Sequence, residues 1–191
     1  MRPLPSAILV LTILMLGGCR AASPNTANYP EHYVSALSMQ SGVDVQAAHL
    51  QPFTAFITRL GRPEWEQHFE GVYAERVHFS DTLAYINDRA TLRAYFADLA
   101  DNGATVQVNI LSAQRNGADA YLIWEMTTSF TPVLSTKQSH SIGITHLRFN
   151  AAGEVILHQD FWDAATGFYQ HVPVLGGALR GVRARLQPAT P

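Results

Sequence analysis

Cysteine occurs once in the 191 residues, at Cys19. An intrachain disulfide is excluded, and packing alone must hold the fold. No second thiol exists to make a metal-ligating or redox pair. Charge is also scarce, at 15% of residues with a net of −2. No basic run interleaves with aromatics, so the chain carries no sign of nucleic-acid binding. A glycine-rich dinucleotide fingerprint and a phosphate loop are both missing. The hydroxyl-rich stretch "SFTPVLSTKQSHS" lacks the Gly-x-Ser-x-Gly setting of a nucleophilic serine. His140, His146 and His158 show no tight His-x-His or His-x-x-x-His spacing, so no metal is expected. Nothing in the sequence calls for a cofactor.

What is present begins with an export pattern. Met1-Arg2 is a positive start, and Ala7 to Leu16 is an apolar run. That run has the length of a signal-peptide core and is too short to span a bilayer comfortably. It ends in Leu16-Gly17-Gly18-Cys19, which resembles the bacterial lipoprotein signal. The resemblance implies cleavage before Cys19 and acylation of that cysteine. Residues 1–18 are then the signal peptide and 19–46 a tether, rich in Ala, Ser, Asn, Pro and Gln, docking through Tyr29, Tyr33 and Leu37. Arg20 rather than Asp follows the cysteine, which for such lipoproteins implies the outer membrane, periplasmic side. The membrane, reached through acylated Cys19, is one expected partner.

The domain is expected over residues 47–175. Leu50, Phe53, Ile57 and Leu60 recur at helical spacing, and Gly61 and Pro63 stop the run. Trp65, Phe69, Val72 and Tyr73 suggest a second short helix. "VHFSDTLAYI" (Val77 to Ile86) is β-like, with Asp81 at its middle and Tyr85 on the same strand face. Asp88 can cap a helix whose buried stripe is Leu92, Tyr95, Phe96 and Leu99. Four strand patterns follow, "TVQVNILSAQ", "DAYLIWEMTTSF", "SHSIGITHLRF" and "EVILHQDFW". Asn116-Gly117 and Asn150-Ala151-Ala152-Gly153 mark hairpin turns between them. Helices first and a meander afterwards read as α+β, a curved antiparallel sheet wrapped around helices. Residues 176–191 form a basic tail or short helix with Arg180, Arg183 and Arg185. It either lies on anionic lipid or covers one end of the sheet.

The closing strand carries the chemistry. Alternation puts His158, Asp160 and Trp162 on one face, where His158 and Asp160 can hydrogen-bond. Burial would raise the pKa of a carboxyl there, and a charged imidazole would lower it. Trp162 offers a flat wall for a cyclic ligand, and Trp124 and Met126 alternate toward one face of a central strand. Asp163 is either a second acid or the cap of the next turn.

This order of elements, with the closing "HQDFWD", resembles the SnoaL-like branch of the nuclear transport factor 2-like (NTF2-like) superfamily. The likeness runs from about Leu50 to Trp162. It implies a cone-shaped domain with an apolar pocket, and a superfamily of cyclases, isomerases, dehydratases, epoxide hydrolases and non-enzymatic binders. Carried over by motif, Asp160-Phe161-Trp162-Asp163 matches the acidic strand end of several enzymatic relatives. In the cyclase pattern the acid/base is Asp163. In the isomerase pattern Tyr85, Asp81 and Asp160 would converge on a carbonyl. The epoxide-hydrolase pattern needs an Arg and a second Asp where this chain aligns Thr127 and Ser129, so that triad is missing. Three readings stay open: binding of a small hydrophobic ligand in a pocket with Asp81, Trp124, Met126 and Trp162 in its wall; cofactor-free acid/base catalysis by Asp160 with His158; and a protein-interaction module. Relatives dimerise through the outer sheet face, so a homodimer is the protein partner the resemblance implies.

Overall fold

The computed structural model describes residues 28–101, 103–131 and 135–186. The expected signal peptide and Cys19 lie outside these residues. No helix among the described residues is long and apolar enough to cross a membrane.

The architecture is α+β. Helices α1 (Tyr29–Met39), α2 (Ala47–Ile57) and α3 (Trp65–Phe69) precede strand β1 (Tyr73–Ser80). β2 (Tyr85–Asp88) and α4 (Arg89–Asp101) follow, then the meander β3 (Thr105–Asn116), β4 (Asp119–Phe130), β5 (Lys137–Phe149) and β6 (Val155–Trp162). The chain ends in α5 (Ala164–Gly167), a 3-10 turn at Tyr169–His171, and α6 (Leu175–Leu186). The six strands form one sheet in the order β2-β1-β6-β5-β4-β3. β1 runs parallel to β6, and the other neighbours are antiparallel.

The sheet's inner face wraps α2, α3 and α4. Leu50, Phe53 and Phe56 of α2 meet Trp65 and Phe69 of α3 and Phe96 of α4, and all are buried. The rings pack edge to face, as their quadrupoles prefer; Phe56 and Phe96 have centroids 5.1 Å apart at 73°. The meander turns fall where the sequence places them, with Gly117 and Gly153 both at positive φ.

Three local expectations change. The supposed tether contains helix α1, whose Tyr33 donates to the buried His146 at 2.9 Å if His146 uses Nδ1 as acceptor. Arg148 reaches from β5 to the carbonyls of Leu37 (2.8 Å) and Gln40 (2.7 Å), holding the end of α1 on the outer sheet face. Tyr33 and Leu37 thus dock as expected, whereas Tyr29 is exposed. Val72 and Tyr73 leave the second helix, because the chain turns at Gly71 (φ +75°) and Tyr73 opens β1. The stretch around Asp81 is not one strand but a hairpin: Thr82 takes φ +72°, and Ser80 pairs with Tyr85. The C-terminal segment is helical through Leu186.

Candidate functional site

The inner face of β4, β5 and β6, closed by α4 and α5, encloses a cavity of about 180 Å³. Its wall is mostly apolar and includes Leu60, Leu99, Val106, Met126 and Phe168. The volume resembles a cavity that takes a single aromatic ring and is smaller than drug-sized pockets. Trp124 and Trp162 stand in the wall on either side of Gly143, which is register partner to both. A Cβ on Gly143 would overlap the Trp124 ring, and one on Gly167 would overlap Trp162. Each indole is therefore seated against bare backbone.

Asp160 and His158 project into this cavity from β6. Asp160 Oδ1 takes the Thr145 hydroxyl at 2.5 Å and faces His158 Nε2 at 3.0 Å. The other ring nitrogen, Nδ1, lies 2.9 Å from the buried Tyr73 hydroxyl. One proton arrangement satisfies the set: Tyr73 donates to Nδ1, and Nε2–H donates to the carboxylate. Trp124 Nε1 in turn donates to Thr145 at 2.9 Å. Two donor chains thus converge on one oxygen of Asp160. Its Oδ2 has no protein donor among the described residues. Burial, with Asp160 nearby, pushes the Tyr73 hydroxyl well above its usual pKa, so it stays a donor.

Asp81 forms a second polar point in the wall. Its Oδ1 caps the turn through the amides of Leu83 (2.9 Å) and Ala84 (2.8 Å). Its Oδ2 accepts from Tyr95 of α4 at 2.5 Å. Burial raises the Asp81 pKa, and the bond from Tyr95 only partly opposes this. Burial and the Asp81 charge push Tyr95 far up, so its hydroxyl keeps its proton. Trp162 Nε1 donates to the Asp81 carbonyl at 2.7 Å and ties the turn to the end of β6.

Asp81, Trp124, Met126, His158, Asp160 and Trp162 therefore meet at one cavity. Two expected site residues do not. Tyr85 follows the hairpin to the outer face, where it stacks on His32 at 4.3 Å and 12°. Reversal of the chain at Asp81–Ala84 breaks the strand parity on which its placement rested. Asp163 points out of the cone: it caps α5 through the Thr166 amide (3.0 Å) and hydroxyl and pairs with Arg183 at 2.9 Å. The Thr166 hydroxyl and amide hold its pKa below the usual carboxylate value. Asp163 takes no part in the cavity wall. Thr128, not Thr127 or Ser129, faces the cavity from β4. Its hydroxyl is buried without a partner. His146 and Thr145 are neighbours on β5 with opposite directions, so His146 is on the outer face and cannot converge with His158.

Tyr73, Tyr95 and Thr145 are the site residues that sequence reasoning missed. None of the three stands in a local motif that sets it apart from ordinary core residues.

No family model matches the sequence, and no curated protein matches it. Solved structures do match. An LEH-like epoxide hydrolase from M. tuberculosis aligns with a TM-score of 0.53 at 14% identity, covering 72% of this chain and 94% of that one. A protein assigned as a SnoaL-like polyketide cyclase from Shewanella denitrificans aligns at 0.54 and 13%, covering 63% and 94%. An NTF2-like protein of unknown function from Exiguobacterium aligns at 0.50 and 10%, covering 60% and 98%. At such identities the likeness concerns architecture and leaves chemistry open. The chain has the SnoaL-like, NTF2-like cone fold.

Proposed function

We propose that the cone binds a small, largely apolar molecule carrying one carbonyl or hydroxyl group, and that Asp160 exchanges a proton with it. The observation that carries this is the one-sided use of the Asp160 carboxylate. Thr145 and His158 fix Oδ1, and Oδ2 is left for a ligand. A base held this way needs no reorganisation when it acts. Oδ2 would take a proton from the carbon beside a ligand carbonyl and return it elsewhere on the same molecule. His158, oriented by Tyr73, would stabilise the carboxylate before the transfer. The apolar wall would keep water from competing for the proton. Binding without turnover is the second reading, favoured by the predominance of apolar wall over polar groups.

Native mass spectrometry of the protein from its source cells, beside Asp160→Asn, tests both. A copurified molecule that the wild type converts and the variant retains supports proton exchange. A molecule held equally and converted by neither supports binding alone. An empty cavity in both, with no small ring compound bound on titration, sinks the proposal.

We also propose that Cys19 is acylated and anchors the domain to the envelope. Incorporation of an alkyne fatty acid, abolished by Cys19→Ala, is the expected result. A second copy of the chain is the protein partner proposed for the outer face, where Ile142, Ile144 and Phe161 stand exposed together. Sedimentation velocity at rising concentration would show a dimer, lost on Ile142→Glu.

A further inference from the structure

Helix α6 does not bury its apolar stripe. Leu175, Val182 and Leu186 are 42%, 55% and 78% exposed, and Val174, just before the helix, is 91% exposed. With Ala178, the helical members are spaced by three, four and four residues, which places them along one side of the helix. Arg185 and Arg183 flank this stripe, Arg180 lies opposite, and α6 has no acidic residue. Arg183 pairs with Asp163, whereas Arg180 and Arg185 have no ion pair among the described residues. The buried side of the helix is marked by Gly176. It packs so closely on the 3-10 turn that a Cβ would overlap the Gln170 carbonyl.

Three protruding side chains on a helix about 18 Å long fall well short of the roughly 800 Å² per partner that a stable protein interface covers. A bilayer surface needs no such shaped area. It accepts a narrow apolar stripe between cations, with anionic headgroups meeting the arginines. A short tether from the proposed anchor would also keep the domain beside the bilayer. Nine residues, 20–28, separate Cys19 from α1. Fully extended, they reach at most about 30 Å.

We infer that α6 is an interfacial helix that lies on an anionic bilayer, with Leu175, Val182 and Leu186 in the lipid and the flanking Arg185 at the headgroups. The reach argument rests on the proposed anchor at Cys19; the stripe and its charges do not. One wall of the cavity would then stand next to the membrane. The turn beneath α6 follows Phe168, which lines the cavity and stacks on Phe130 at 5.4 Å and 16°.

The test uses the full chain with Val182→Cys carrying an environment-sensitive fluorophore. Peptide mapping first records whether Cys19 is acylated, and where it is not, the measurement is made in a Cys19→Ser background. Failure of the anchor and failure of the helix are thus read separately. Vesicles of phosphatidylglycerol with phosphatidylcholine should shift the emission to the blue, and doxyl-labelled lipid should quench it. Arg185→Glu should weaken this lipid response by about tenfold, whereas Arg180→Glu, on the far side, should change it much less. A label at Gln51→Cys, exposed on α2, should stay in water throughout. The inference is overturned if the Val182 label stays open to iodide on anionic vesicles, or if charge reversal changes nothing. It is equally overturned if the blue shift appears without lipid and grows with protein concentration, since a second copy then covers the stripe.

Discussion

Thr145 and Asp160 are register partners across β5 and β6, and the threonine hydroxyl donates to Asp160 Oδ1 at 2.5 Å. The same hydroxyl accepts from Trp124. Thr145→Val would leave a buried indole N–H without a partner and remove one of two donors to Asp160. A loss of about 1–3 kcal/mol in urea unfolding is expected. Thr145→Ser keeps the hydroxyl and should lose distinctly less. Equal losses would mean that the methyl, not the hydrogen bonds, carries the effect.

Gly143 lies between the two wall tryptophans and leaves room for the Trp124 ring. Gly143→Ala should push that ring aside, costing about 1–3 kcal/mol and changing tryptophan fluorescence. Unchanged emission and melting temperature would show that the ring has another place to go.

Asp81 ties its own turn to Tyr95, and burial raises its pKa above the ordinary 3.8. The folded state therefore binds this proton more tightly than the unfolded chain does. That stabilising contribution is complete below the ordinary value and is lost as pH rises through the raised one. Asp81→Asn cannot ionise. The stability difference, wild type minus variant, should fall as pH climbs from about 4 toward neutrality, read by urea midpoints at each pH. A difference independent of pH would contradict the assignment.

Arg148 bonds Asp119 through Nε at 2.6 Å and the last carbonyls of α1 through Nη1. Lysine cannot reproduce that fork. Arg148→Lys should lower hydrogen-exchange protection in residues 33–39 by about 10- to 100-fold while leaving β4 and β5 unchanged. Uniform loss would mean that α1 and the sheet open together.

Much of the architecture was legible because it is written in local signals. Asn116-Gly117 and Asn150 to Gly153 announce turns by their backbone needs, and strand alternation puts His158, Asp160 and Trp162 on one side. Helix α1 was not legible, because contacts from distant Arg148 and His146 hold it, and those leave no periodicity in "YPEHYVSALSM". Tyr85 was misplaced by one turn: alternation survives only while the strand continues, and the bend at Thr82 resets it. Tyr73 and Tyr95 read as core, since a buried tyrosine and a site tyrosine look alike until the partner of the hydroxyl is known. Asp163 stood open between acid and cap, and that question turned on where Thr166 and Arg183 lie.

The parallel pairing of β1 with β6 has a consequence for how the protein comes into being. Tyr73 and His158 are 85 positions apart along the chain. A polypeptide that emerges N-terminus first, from a ribosome or a translocation pore, can finish its helices and early hairpins but not join these two strands. Closing so long a loop is slow, and nothing rewards it until β6 has arrived. The donors that hold Asp160 are assembled in that same late event, so a stalled or shortened chain gains no weakened site, only none.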